Sequence, residues 1–258
     1  ESALGDTGQP ADKRYTFQAP PQAAESLALA GFDVLSLANN HALDYGPDSL
    51  LQGISLLDQR SIAAIGGGAD ESAARTPYVS EINGMKLAFL AYVDVPVEVS
   101  GFDTASWTAT DATPGLAWAN PEHIRADVAG TREQADVVIV VLHSGTEYQA
   151  APDGSQMASA HTAIDAGASL VIGHHAHVLQ GIEFYNSGVI VYGLGNFAFA
   201  NSGVAETTIL NVWLDSDGVR QLEILPVMLP SRGQPRLATE EEANVIRRRM
   251  YLLTTLLN

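Results

Sequence analysis

The run Asp136 to Leu142, Asp-Val-Val-Ile-Val-Val-Leu, constrains the fold more than any other stretch of the chain. Its β-branched residues predict a strand, and the lack of polar alternation means that both faces are buried. Such a strand needs covering layers on both sides, so it belongs inside a sheet flanked by helices. Helical patterns at 121–134 and 154–166 stand on either side of it, and a second apolar run, Ser169 to Ile172, follows. Strands alternating with helices in this way predict an α/β protein.

The same alternation is visible earlier. Pro21 opens a helix ending at Gly31, and Asp33 to Leu37 reads as a strand. Helix 47–60 starts at Pro47 and carries Leu50, Leu51, Ile54 and Leu57 on one face; strand 61–65 is stopped by Gly66-Gly67-Gly68. Runs 77–82 and 85–92, joined through Asn83-Gly84, predict a β-hairpin. Residues 1–21, broken by glycines and prolines, read as loop. Residues 94–119 are irregular and hold Trp107 and Trp118, which marks them as an ordered lid or specificity loop. Beyond residue 180 the pattern is β alone, at 181–185, 188–193, 205–214 and 219–228, until a charged helix at 239–256. The expectation is a single domain over 1–258, with the motifs in 1–200 and the last strands and helix in 201–258.

Composition narrows the chemistry. The chain has no cysteine, so a metal would be bound by His, Asn, Asp or Glu. A net charge of -17 argues against a nucleic-acid or anionic-membrane surface. No stretch is apolar for long enough to cross a bilayer, and no signal peptide is visible. The chain begins at Glu1 without an initiator Met and reads as a processed, trimmed or fragmentary product.

The placement of the histidines carries the main functional signal. His41 follows strand 33–37, His143 follows strand 136–142, and His174, His175 and His177 follow strand 169–172. Ligands bind outside the carboxyl ends of strands in open α/β sheets, so these five are expected to meet at one edge. His123 and His161 fall on helices and read as solvated or capping side chains. His175 and His177 stand two apart, and in extended chain both would point the same way. Neutral imidazole suits Zn, Mn, Fe or Ni.

Asn40 offers a neutral oxygen ligand, whereas Asn39 suits either a turn or a place beside the ligands, where it would contact them or the substrate. Asp44 is placed to orient His41 through a hydrogen bond. Glu147, four residues after His143, reads as a partner of a ligand or as a substrate contact. Gly195-Asn196-Phe197 brings a fourth strand end, with Asn196, to the same edge. Gly66-Gly67-Gly68 lacks the Lys-Ser/Thr ending of a phosphate loop, and no G-x-S-x-G elbow occurs.

Four segments together resemble a known family. They are Ser36-Leu37-Ala38-Asn39-Asn40-His41 with Asp44-Tyr45-Gly46, His143-Ser144-Gly145-Thr146-Glu147-Tyr148, Gly173-His174-His175-Ala176-His177-Val178-Leu179-Gln180, and Tyr192-Gly193-Leu194-Gly195-Asn196-Phe197. In order and spacing they resemble the CapA family of capsule and poly-γ-glutamate synthesis proteins, a branch of the calcineurin-like metallophosphoesterase superfamily. The resemblance implies a four-layer α/β/β/α sandwich of metallophosphoesterase type. It also implies two divalent ions (Mn, Zn or Fe), with Asn40, His143, His175 and His177 as ligands, His174 nearby, and His41 as the acid that protonates the leaving oxygen.

Glu1 resembles the last residue of the family's Asn-Leu-Glu motif, and the resemblance implies it as a further metal ligand. The preceding strand that ends in Gly-Asp is absent, so the resemblance implies an N-terminally incomplete sheet lacking its first strand. It further implies an extracytoplasmic protein, anchored to the membrane through the missing N-terminus, working with the capsule synthesis and export machinery. The expected activity is hydrolysis of a phosphoester or capsule-polymer bond. The alternative is a non-catalytic accessory subunit or scaffold of that machinery.

Overall fold

A computed structural model describes residues 1–199, 203–230 and 233–258. The chain forms two compact units: Glu1–Val79 with Phe89–Asn120, and Ser80–Ala88 with Pro121–Asn258.

In the first unit, strands Val34–Ser36 and Ala63–Ile65 pair in parallel, and helix Pro47–Asp58 makes the crossover between them. Leu50 and Leu57 of that helix are buried, as its apolar face requires. Leu4, Ala24, Leu57 and Ile62 form a core that Leu27, Leu35 and Leu37 extend. Residues 1–21 are not simply a loop: Ala3–Leu4 pairs in parallel with Gln18–Ala19, and Ala3 and Leu4 are buried. Two-residue strands lie below the length at which periodicity registers, so the sequence gives no sign of them.

The glycine triplet is likewise more than a stop, since Gly67–Gly68 pairs with Gly115–Leu116. A Cβ on Gly68 would lie 2.4 Å from the backbone nitrogen of Ala74, so only glycine lets helix Glu71–Arg75 pack there. The 94–119 segment is ordered by a 3₁₀ turn at Thr104–Trp107, with Thr104, Ala109, Leu116 and Ala117 buried.

The main sheet has six strands, of which the first four in spatial order lie wholly in the second unit. The order is Ile182–Tyr185, Gly188–Val191, Leu170–His174, Val137–Ser144, Met85–Asp94 and Tyr78–Ile82. Val137–Ser144 runs parallel to Leu170–His174, which runs parallel to Gly188–Val191. The solidly apolar run is interior to the sheet, and Val137, Val138, Val140 and Leu142 are buried. Asn83 and Gly84 both take positive φ (53° and 81°), which closes the expected hairpin.

Helices Pro121–Arg132 and Gly154–Asp165 contribute Ile124, Val128, Ala160 and Ile164 to the core. Strands Glu206–Asp215, Gly218–Met228 and Arg236–Leu237 form a separate antiparallel sheet. The last helix, Glu240–Thr255, covers an edge. Thr254 and Asn258 accept from the backbone N–H groups of Ile182 and Phe184, at 3.1 and 2.9 Å, so that edge strand is not left open for another chain.

Candidate functional site

The residues singled out by the sequence assemble into two groups, one in each unit. In the first unit, residues 37–46 link strand Val34–Ser36 to helix Pro47–Asp58 and carry Asn39, Asn40, His41 and Asp44, all buried. The Asn39 side chain accepts from the His41 backbone N–H at 2.9 Å, the local bond of an asparagine turn. His41 Nδ1 lies 2.8 Å from Asp44 Oδ2. That contact puts the Nδ1 proton toward Asp44 and leaves Nε2 as the nitrogen that can exchange a proton with a substrate.

Asp44 is fixed in turn. Its Oδ2 accepts from the backbone N–H of Phe17 at 2.7 Å, and its Oδ1 lies 2.7 Å from the Lys13 ammonium. The Lys13 and Asp44 side chains are both fully shielded from solvent. Lys13 also donates to the Asn40 carbonyl at 2.8 Å and pairs with Glu98 Oε1 at 2.5 Å. The indole of Trp107 and the ring of Phe102 face the ammonium at 4.9 and 5.5 Å. Glu98 accepts from the Asn40 side-chain amide at 2.9 Å, which turns the nitrogen end of that amide toward Glu98.

Lys13 and Glu98 were not foreseen. Both lie in segments that read as irregular, and charged residues in such segments are usually solvated. The one hint was that Lys13 is one of only two lysines in the chain. Glu1, expected as a ligand from the resemblance, is exposed beside strand Ala3–Leu4.

In the second unit, His143 does not follow its strand but belongs to it, paired in register with His174 at the end of the neighbouring strand. His143 is buried and His174 exposed. Burial, reinforced by the nearby His175 and His174, holds the His143 imidazole well below its ordinary pKa, so it is neutral. The His143 and His175 ring centroids lie 4.9 Å apart, and those of His175 and His177 5.9 Å apart.

The extended geometry expected for His175 and His177 is not what brings them together. The strand ends at His174, and both residues take positive φ, 94° and 57°. A turn carries the two imidazoles to one place. Of the six described non-glycine residues with positive φ, three lie here: Tyr148, His175 and His177. Such conformations are held only by a surrounding structure that over-determines them, and they concentrate at functional sites.

Glu147 joins the two histidines. One ligand atom from each of Glu147, His175 and His177 lies within 4.8 Å of the others. Atoms bound to one ion at roughly 2.0–2.2 Å stand at most about 4.4 Å apart, so this spread suits a divalent cation with little adjustment. Two imidazoles and a carboxylate are the donor set of Zn, Mn or Fe sites. Asn196 Oδ1 lies 2.7 Å from His177 Nδ1, where it can accept an Nδ1 proton; in that tautomer the Nε2 lone pair is the one left for a cation. Tyr148 stacks on His177 at 5.9 Å, and its backbone N–H donates to the Ala176 carbonyl at 2.7 Å. The structure thus gathers His143, Glu147, His174, His175, His177 and Asn196 in the second unit, and Asn39, Asn40, His41 and Asp44 in the first.

The family model "Bacterial capsule synthesis protein PGA_cap" matches residues 1–201. The "PGA biosynthesis protein CapA" of Bacillus subtilis is 36% identical over 188 residues, covering 72% of this chain and 48% of that protein. The "Capsule biosynthesis protein CapA" of Bacillus anthracis is 34% identical over 193 residues, covering 73% and 45%. The chain therefore spans about half the length of these curated relatives. Among solved structures it resembles a candidate 5'-nucleotidase from Staphylococcus aureus in complex with alpha-ketoglutarate. The TM-score is 0.50 at 14% identity, covering 90% of this chain and 47% of that one. At that identity the likeness shows the fold alone, a mixed α/β architecture. With the family model matched over most of its length, the chain belongs to the bacterial capsule synthesis protein PGA_cap family.

Proposed function

We propose that this chain is a divalent-metal-dependent hydrolase acting in capsule or poly-γ-glutamate synthesis, on a phosphoester or on a bond of the capsule polymer. The observation that carries the reading is the convergence of Glu147, His175 and His177 on one ion-sized gap, beside a His143 kept neutral. Imidazole nitrogens and a carboxylate are donors that a divalent cation accepts. A bound divalent ion supplies Lewis acidity and lowers the pKa of water. His41, fixed through Nδ1 by Asp44, delivers the proton that the leaving oxygen needs. The family resemblance implies Asn40 as a further ligand, and a second ion. The Bacillus relatives are named as capsule and PGA biosynthesis proteins, which supports the same setting for this chain; in this reading it works with that machinery on the outer side of the membrane.

The test is to measure bound metal by elemental analysis in the wild type and in a His175→Ala/His177→Ala variant, and to assay both on an aryl phosphodiester with added Mn²⁺. The expected result is metal and turnover in the wild type and neither in the variant. His41→Gln should keep its metal and lose about 10²–10⁴-fold in rate. Metal without turnover, in a chain extended to the length of the relatives, would select the accessory-subunit role instead. No metal at saturating supply would remove the hydrolase reading altogether.

A further inference from the structure

Gln156 and Gln180 are buried amides with 1% and 0% of their surface exposed. Gln156 Nε2 donates to Gln180 Oε1 at 2.9 Å and to the Tyr192 carbonyl at 3.2 Å. Gln180 Nε2 donates to the Gln149 carbonyl at 2.9 Å. At its other end Gln156 closes a capping box with Asp153: Asp153 Oδ1 accepts from the Gln156 backbone N–H at 2.9 Å, and Asp153 Oδ2 accepts from Thr146 Oγ1 at 3.0 Å. The Gln156 amide also packs against Gly145, where a Cβ would stand 2.5 Å from its Oε1.

These bonds join two loops. Residues 145–153 carry Glu147, and residues 175–181 carry His175 and His177. We infer that the Gln156–Gln180 amide pair is a positioning device that sets the distance between the Glu147 carboxylate and the two imidazoles, and so sets the affinity for the ion. The inference rests on the metal reading proposed above.

Three physical points support it. Each amide oxygen and nitrogen has a defined partner, and a fully satisfied buried network specifies one geometry rather than a family of them. The pair is uncharged, so it fixes the loops without putting a competing cation or carboxylate beside the ligands. The loops also need fixing, because Tyr148, His175 and His177 are held at positive φ, which neither loop favours by itself. Groups that orient ligands without touching the ion change metal affinity by roughly 10–100-fold when removed.

The experiment titrates MnCl₂ into metal-free wild type, Gln180→Met, Gln156→Met and the double variant by calorimetry, and records melting of each in chelator. Either single variant should bind Mn²⁺ about 10–100-fold more weakly. The double variant should bind no worse than the weaker single one, because two links of one relay fail together. Should a buried variant not fold, Asp153→Ala loosens the same relay from the surface and should weaken Mn²⁺ binding in the same direction. Affinity within about twofold of wild type in the folded variants, with lowered melting temperature only, would reduce the pair to packing and overturn the inference. Absence of Mn²⁺ binding in the wild type would instead overturn the metal reading itself, so the two failures are distinguishable.

Discussion

Around Asp44 in the first unit, two carboxylates and a backbone carbonyl face one ammonium that is part of the chain, and two aromatic rings cover it. Around His175 in the second unit, the groups gathered are imidazoles, an amide and a single carboxylate, with donor atoms turned toward one gap. Both arrangements bury polar groups at the carboxyl ends of strands, and they meet the desolvation cost differently. The first carries its own cation, covalently attached. The second suits a cation from solution, because neutral imidazoles can be buried without one and still bind it. The first group should therefore be indispensable to folding, and the second should tolerate loss of its ligands while losing its ion.

The largest expected effect tests the first half of that contrast. Lys13→Met leaves Asp44 buried without its ion-pair partner and should cost about 3–5 kcal/mol in denaturant unfolding. A loss below about 1 kcal/mol would mean that water reaches the site and that the pair is not an internal cation site. Next comes the second half. His175→Ala/His177→Ala should abolish the stabilisation by Mn²⁺, about 2.7 kcal/mol at a hundredfold excess over Kd, while changing metal-free stability far less than Lys13→Met. If the metal-free variant unfolds as readily as Lys13→Met, the contrast between the units fails.

Asn196→Ala removes the acceptor on His177 Nδ1 and should weaken Mn²⁺ by roughly 10–100-fold in calorimetry, without touching a ligand. The smallest effect lies away from both sites. Arg236 and the helix cap at Thr239 hold the Glu242 carboxyl down to about 2 from an ordinary 4.5. Their support for the start of the last helix is present above pH 4.5 and should fade as the pH falls toward 2, as Glu242 takes up a proton. Circular dichroism of wild type against Glu242→Gln should show a difference at pH 6 that vanishes near pH 2.

Most of the site was legible because its chemistry lies in short local patterns. Asn40-His41 and His175-Ala176-His177 announce themselves by residue type and by position after apolar strands. Glu147 was visible as a carboxylate near His143, but its approach to His175 and His177 depends on two loops meeting, and nothing local encodes that. The same holds for Asn196, which reaches His177 across nineteen residues of sequence. Lys13 and Glu98 stand 85 residues apart in irregular segments, and their pairing leaves no periodic trace. The hairpin at Asn83-Gly84 was readable because both turn positions need positive φ, which those residues tolerate. The positive φ of His175 was not, because neighbouring structure imposes it against the residue's own preference.

The sequence by itself determined the α/β class, through a strand too apolar to be exposed on either face, and the family, through four ordered motifs. It also named the residue types that chemistry would require. Only the tertiary structure decided which of them face one another: Lys13 with Asp44 and Glu98, and Glu147 with His175 and His177. The reason is range. Burial periodicity and turn chemistry act over a few residues and can be read along the chain, whereas an ion pair or a ligand set is a distance in space, fixed by how the strands and loops that carry its members pack.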